Sequence, residues 1–316
     1  MEGKYVWPTP TVPGHEAAGV VEAVGADVTY LRPGDHVIGC LSIFCGRCPY
    51  CLSGRPALCD REGLERGAGQ PPRLSLDGAP IHQFLRLSAF AEMMLVHENA
   101  LVKIRPEMPL DRAALIGCAV TTGVGAVFRT AAVEPGSTVA VIGCGGVGLN
   151  CVQGAAIAGA ERVIAVDMLP WKLDLARQFG ATDAVNAADG DPVGQVRELT
   201  GGGVEHAFEA IGLKATAEQA FAMLRKGGTA TVIGMIPEGV KIELMGSDLL
   251  DEKKIQGSNM GSNRFRVDMP RYVDLYLQGR LKLDELVSER IELGQVNQGF
   301  AAMRRGEVAR SVVAFA

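Results

Sequence analysis

Apolar residues in the second half of the chain fall into short runs that alternate with helically spaced segments. After Pro135-Gly136 the pattern predicts strands at Val139–Ile142, Arg162–Val166, Ala184–Asn186, Val204–Ala210, Thr229–Gly234 and Lys253–Gly257. It predicts helices between them at Val147–Ala158, Lys172–Phe179, Val193–Leu199 and Ala215–Leu224. Such alternation points to a parallel sheet covered on both faces, an α/β fold. The first hundred residues have another rhythm. Ala17–Val24, His36–Gly39, Phe90–Val96 and Ala100–Ile104 read as strands, with a turn at Leu31–Asp35. This is an all-β layout. Arg61–Pro80 is polar, rich in Gly and Pro, and reads as irregular surface. Arg112–Ala132 has helical spacing broken by Gly117, Gly123 and Gly125. In the tail, Met269–Gln278 and Val296–Arg304 read as helices, and Glu289–Leu293 and Val308–Phe315 as strands. The tail is expected to fold back onto the first segment.

A length of 316 residues, 47% of them hydrophobic, suffices for two domains with real cores. The formal charge of -5 and the few aromatic residues argue against a nucleic-acid footprint. No basic stretch followed by an apolar one opens the chain, so a cytoplasmic protein without a membrane span is expected. The nearest thing to a span, Val139–Ala160, is interrupted by six glycines and contains Asn150 and Gln153. A strand, a glycine turn and a helix explain it better.

The eight cysteines sharpen the picture. Four of them follow the pattern Cys45-x2-Cys48-x2-Cys51-x7-Cys59, a spacing that suits a tetrahedral all-thiolate zinc site. With no open coordination position, the expected metal is a structural zinc stapling a lobe at residues 40–60. A redox pair, two surface disulfides or an iron–sulfur cluster would also use these ligands. Only Arg47 and Arg55 are basic in this stretch, too few for a DNA-binding module. Cys40, Cys144 and Cys151 sit in apolar surroundings and read as core residues. His15, Glu16 and Cys118 form a second candidate set, because Cys and His ligands beside an open position make a catalytic zinc site.

Gly143-Cys144-Gly145-Gly146-Val147-Gly148 is Gly-x-Gly-x-x-Gly between a predicted strand and a predicted helix. Gly143 serves the turn, Gly145 lets a pyrophosphate approach, and Gly148 lets helix and strand pack closely. Asp167 lies 19 residues beyond Gly148, at the end of the next strand. A carboxylate there accepts from the adenosine ribose and repels a 2'-phosphate, which favours NAD over NADP. Lys172 is placed to reach the same ribose.

The chain resembles the zinc-containing medium-chain alcohol dehydrogenases. The resemblance rests on Gly14-His15-Glu16-Ala17-Ala18-Gly19, Arg32-Pro33-Gly34-Asp35, the four-cysteine lobe, Gly117–Gly123 and Gly143–Gly148. Gly299-Phe300 and the closing Gly306–Phe315 also fit. The polar stretch before Phe90 is similar to that of the longer, class III branch, which includes formaldehyde-processing members. The resemblance implies a GroES-like β-barrel catalytic domain at 1–118 and 261–316, and a Rossmann domain at 119–260. It implies His15 and Cys118 as catalytic zinc ligands, with Glu16 behind them or an occasional ligand. Thr122 would lie beside the nicotinamide, with Val147 and the backbone near Ile233 lining its pocket, and Arg310 would contact the pyrophosphate.

Members of that family carry a longer lead before Gly-His-Glu, which holds a first cysteine ligand of the catalytic zinc and the start of a proton relay. Here fourteen residues precede His15. The expectation is therefore an N-terminally incomplete barrel lacking about fifty residues and some strands, with unpaired edges and an incomplete catalytic zinc site. Two functions follow. One is an NAD-dependent alcohol dehydrogenase acting on a small alcohol or aldehyde, working as a homodimer or homotetramer through the Rossmann domain. The other is an impaired relative that keeps NAD binding and the structural zinc.

Overall fold

The computed structural model describes residues 6–64 and 69–315. The chain divides into two compact units. One spans Thr122–Ser262, and the other joins Trp7–Thr121 to Asn263–Ala316.

The Thr122–Ser262 unit is built on six parallel strands. They are β1 (Thr138–Ile142), β2 (Arg162–Asp167), β3 (Asp183–Asn186), β4 (Val204–Glu209), β5 (Leu224–Val232) and β6 (Lys254–Gly257), in the order β3-β2-β1-β4-β5-β6. Helices α1 (Gly146–Ala158), α2 (Pro170–Gln178), α3 (Pro192–Leu199) and α4 (Lys214–Ala222) connect them. The order reverses between β1 and β4, which opens a crevice at the carboxyl ends of those two strands. Local chemistry explains the elements. Val139, Val141, Val163, Ile164 and Val166 supply β-branched side chains that are fully buried from both sides. Asp191 caps α3 by accepting from Val193 N and Gly194 N, with Pro192 at the first helical position. Gly159, at φ 85°, ends α1. The core joins Ile142, Ile164, Val185, Val196, Phe221 and Leu224.

Two boundaries differ from expectation. The helix predicted to reach Leu224 stops at Ala222, and β5 begins at Leu224, because Leu224 pairs with Val204 ahead of a register shift. The glycines of the 112–132 stretch do not interrupt it. Leu110–Thr130 is a continuous helical run of 21 residues that passes through two π-helical turns. It is long and apolar enough to cross a membrane, but 72% of its most apolar window is buried, as in a core helix.

In the other unit, Ala17–Val20, His36–Gly39 and Leu101–Lys103 form an antiparallel sheet. Val287–Ile291 pairs in parallel with Arg310–Val313, and helices Phe265–Leu277 and Val296–Arg305 complete the C-terminal segment. Arg266 ties that segment to the first. It donates to Leu101 O at 3.1 Å and Glu98 O at 2.7 Å and lies 3.9 Å over the Tyr30 ring. The strand expected at Phe90–Val96 is absent. Phe90 N donates to Pro13 O, and Leu95 O accepts from the Gln83 side chain, so these groups serve loop contacts rather than a ladder. Within the stretch read as irregular, Ser75–Leu76 pairs with Ala79–Pro80, and residues 65–68 fall outside the described part.

Residues 7–13, ahead of Gly14, belong to this unit. Thr11–Val12 pairs in parallel with His82–Gln83. Ser88 Oγ donates to Val12 O at 2.8 Å, and Trp7 packs edge-on against Phe84 at 5.0 Å.

Candidate functional site

Two groups of metal-ligating side chains form among the described residues, each with its donor atoms within 4.8 Å of one another. The first is Cys45, Cys48, Cys51 and Cys59. Cys45 Sγ lies 4.0 Å from Cys51 Sγ, and Cys48 Sγ 3.8 Å from Cys59 Sγ. A tetrahedral zinc with bonds of about 2.3 Å requires sulfur–sulfur edges of about 3.8 Å, so the four thiols fit that ion. Backbone N–H groups point at the sulfurs. Cys48 N donates to Cys45 Sγ at 3.3 Å, Cys45 N to Cys59 Sγ at 3.2 Å, and Arg61 N to Cys59 Sγ at 3.1 Å. Donors from the Cys51 and Asp60 backbone bring the Cys48 thiol down to about 6, whereas burial pushes Cys51 up to about 12. Four thiolates this close repel one another unless a cation lies between them. None of the eight cysteines is in a disulfide, and Cys40, Cys144 and Cys151 lie in the core.

The second group is His15, Glu16 and Cys118. Two segments bring it together. His15 and Glu16 lie just before Ala17–Val20, and Cys118 sits at the centre of the π-helical turn Ile116–Val120. Such turns recur at functional sites because they reorient a side chain within a helix. The turn approaches so closely that a Cβ on Gly117 would stand 2.9 Å from Gly39 O. Glu16 fastens the two segments. Its Oε1 accepts from Ala119 N at 2.9 Å, and its Oε2 pairs with Arg310 Nη1 at 3.5 Å. Burial lowers the pKa of His15, against the opposing pull of Glu16, so the neutral imidazole with its free lone pair is favoured. Sequence reasoning missed the aromatic wall beside this group. The Phe84 ring lies 6.0 Å from the His15 ring and 5.0 Å from the Trp7 ring. The cluster of aromatic residues near a histidine was no signal in itself, since Trp7 and Phe84 are 77 positions apart.

The glycine fingerprint belongs to the Thr122–Ser262 unit. Gly143, at φ 93°, makes the turn after β1. A Cβ on Gly148 would fall against the Gly143 carbonyl, 2.8 Å from its carbon. A Cβ on Gly145 would meet nothing within 4 Å. Gly145 caps α1, and Gly146 and Val147 open it, so unpaired N–H groups face this open space, a cradle suited to a pyrophosphate. Asp167 closes β2. Its Oδ2 accepts from Cys144 N at 2.8 Å and its Oδ1 from Leu169 N at 3.1 Å, which ties the carboxylate to the glycine turn. Lys172 stands in the first turn of α2, with Nζ 5.8 Å from the centre of the Trp171 ring. Ile233 follows β5, its N donating to Glu209 O at 2.9 Å. Thr122 is buried, 3.3 Å from Met260 Sδ. Arg310 stands beside Glu16.

Comparison with known proteins agrees with both halves of this geometry. Residues 146–278 match the zinc-binding dehydrogenase family, and residues 1–106 match the alcohol dehydrogenase GroES-like domain. An alcohol dehydrogenase class-3 of Oryza sativa subsp. japonica is 40% identical over 313 residues, which cover 96% of this chain and 82% of that protein. The solved structure of an alcohol dehydrogenase zinc-binding domain protein from Burkholderia ambifaria superposes with a TM-score of 0.94 at 38% identity, covering 100% of this chain and 86% of the other. Benzyl alcohol dehydrogenase from Acinetobacter calcoaceticus superposes with a TM-score of 0.92 at 33% identity, covering 100% and 87%.

The match over residues 1–106 overturns the expectation of a barrel lacking its N-terminal part: the chain carries a GroES-like domain as well as a Rossmann domain. The expectation weighed the length of the lead before Gly14. It could not register that Thr11–Val12, a two-residue strand between prolines with no periodicity, pairs with His82–Gln83.

Proposed function

The chain belongs to the zinc-binding medium-chain alcohol dehydrogenase family, zinc-dependent enzymes that pass hydride from an alcohol to NAD, and we propose how its residues divide that work. The observation that carries the division is the contrast between the two donor sets. Four thiolates fill a tetrahedron, whereas His15, Glu16 and Cys118 mix imidazole, carboxylate and thiol. The thiolate set therefore holds a structural zinc, and the mixed set holds the catalytic one. When bound, zinc supplies Lewis acidity to the alcohol oxygen, and NAD supplies the hydride acceptor.

The remaining work belongs to the protein. His15 offers a neutral nitrogen because burial disfavours its protonated form. Glu16 fixes the Cys118 turn through Ala119 N and is itself held by Arg310, so the ligands are pre-positioned. Gly143, Gly145, Gly146, Val147 and Gly148 receive the pyrophosphate, Asp167 and Lys172 the adenosine ribose, and Thr122 and Ile233 the nicotinamide. Phe84 and Trp7 give the substrate an apolar, aromatic surface next to His15. An alcohol bearing an aromatic or bulky apolar group suits that wall better than a short polar one, in keeping with the benzyl alcohol dehydrogenase among the similar structures.

Working as a homodimer or homotetramer in the cytoplasm is part of the same reading. In its support, β6 is the edge of the sheet, and Met245, Leu249 and Leu250 are exposed just ahead of it. The test is zinc analysis joined to substrate comparison. The parent should hold two zinc ions per chain, Cys118→Ser one, and benzyl alcohol should exceed ethanol in kcat/KM by about tenfold, the order of one apolar ring contact. A parent holding one zinc, or one that prefers ethanol, would contradict the assignment.

A further inference from the structure

Glu209 ends β4 at the crevice where the strand order reverses, and it is fully buried. Its Oε1 accepts three hydrogen bonds, from Ile211 N at 2.9 Å, Gly212 N at 2.7 Å and Thr216 Oγ1 at 2.8 Å. Its backbone carbonyl accepts two more, from Ile233 N at 2.9 Å and Gly234 N at 3.0 Å. One residue thus holds both the loop after β4 and the segment after β5. The two segments touch backbone to backbone. A Cβ on Gly212 would come within 2.6 Å of Met235 N, and one on Gly234 within 2.5 Å of Glu209 Oε2. Ile211, fixed by the carboxylate, packs in turn against Gly143, its Cδ1 3.2 Å from where a Cβ would stand. Every loop at this end of β1, β4 and β5 is therefore keyed to one side chain.

The other carboxylate oxygen is the unusual part. Glu209 Oε2 is buried with no hydrogen-bond partner among the described residues. Burying a carboxylate with half its acceptor capacity unused is costly, and the clamp uses only the Oε1 side of the group. Asp167 marks the β2 side of the crevice as the adenosine half, which leaves the β4–β5 side for the nicotinamide. The nicotinamide ring is cationic in NAD+ and neutral in NADH. We propose that Glu209 is a positioning residue for the nicotinamide half of the site, and that its buried charge favours the oxidised coenzyme over the reduced one. This rests on NAD being the coenzyme bound by this unit.

The experiment uses the full chain with its zinc and measures dissociation constants for NADH by fluorescence, and for NAD+ and ADP-ribose by competition. In Glu209→Gln the isosteric amide keeps an acceptor for the three donors and loses the charge. NAD+ should weaken at least about fivefold more than NADH, the floor set by two well-separated unit charges at a protein's effective dielectric, while ADP-ribose stays within about twofold of the parent. An unchanged ratio of NAD+ to NADH affinity would overturn the proposal while leaving the coenzyme reading in place. A parent that binds neither coenzyme would sink both. If thermal melting shows Glu209→Gln to be unfolded, Glu209→Asp decides. It keeps the charge and shortens the reach, so both affinities should fall together with their ratio held, and a shifted ratio there would overturn the proposal. Thr216→Val removes one donor and no charge, and it should leave the ratio near that of the parent.

Discussion

Gly145→Ala and Gly148→Ala place the same methyl group three residues apart in the glycine turn, and the structure gives them opposite consequences. At Gly148 the new Cβ would lie against the Gly143 carbonyl, 2.8 Å from its carbon, with Val141 Cγ1 3.5 Å away in ordinary contact. The carbonyl is backbone of the turn after β1 and cannot rotate aside, so α1 must lift from the sheet. Overpacking of this kind costs about 2–3 kcal/mol, and more where backbone must move. For a unit of this size each kcal/mol lowers the melting midpoint by roughly 4 °C, so a fall of about 8–12 °C is expected. At Gly145 the Cβ would meet nothing within 4 Å, and the residue is at φ -82°, which alanine adopts freely. Its melting point should stay within about 4 °C of the parent, since replacing glycine at a helix cap changes stability by only a fraction of a kcal/mol to about 1 kcal/mol. The methyl would instead occupy the space into which a pyrophosphate must come, and NADH affinity should drop at least about tenfold. Differential scanning fluorimetry and NADH fluorescence titration read the two effects separately. A Gly145→Ala protein that binds NADH as the parent does, or a Gly148→Ala protein that melts with the parent, would refute the assignment of the turn.

Removing zinc with a strong chelator should loosen the 40–60 lobe. Cys51→Ser should lose one zinc per chain by elemental analysis and make the lobe more sensitive to proteolysis, because the three remaining thiols no longer complete the four-ligand set. Arg162 holds Asp183 through contacts of 2.7 and 3.2 Å, and the bonded guanidinium keeps that carboxyl below its usual 3.8. A depressed carboxyl contributes its stability above the unfolded pKa and loses it as pH falls through the folded one. The pair should therefore act in full above about pH 4 and fade below it, and Asp183→Asn should flatten the acid limb of the melting curve there. Phe208→Ala, at a fully buried position in β4, should cost about 3–5 kcal/mol in denaturant unfolding of its unit. Glu16→Gln should keep the Ala119 contact and weaken the pairing with Arg310, lowering zinc retention at His15 and Cys118 by about tenfold.

What could be read in the sequence follows from how locally each feature is encoded. The parallel strands were legible because burial on both faces makes Val139–Ile142 and Arg162–Val166 continuous apolar runs, and the turns between them are marked by Pro and Gly. The four cysteines and the glycine fingerprint are contiguous motifs, and the structure gathers the former and makes a cradle of the latter. His15, Glu16 and Cys118 suggest a group by their ligand chemistry, but the contact between Glu16 and Ala119 spans 103 positions that no periodicity records. Phe90–Val96 has the composition of a strand, but its Phe90 N and Leu95 O are taken by Pro13 and Gln83 from other segments. The lead before Gly14 misled for the same reason: its partner strand, His82–Gln83, is remote and only two residues long. Glu209 gave no sign at all. In Ala207-Phe208-Glu209-Ala210 it looks like the polar end of a strand, and only the packed loops reveal a buried carboxylate.

The most direct test of the account is alcohol-dependent formation of NADH by the zinc-loaded parent and by Cys118→Ser under the same conditions. The account predicts steady NADH formation with benzyl alcohol in the parent, and a rate at least about a thousandfold lower in the variant, since removing a ligand of the catalytic metal removes its Lewis acidity. A parent that forms no NADH from any alcohol, or a Cys118→Ser protein as fast as the parent, would contradict it.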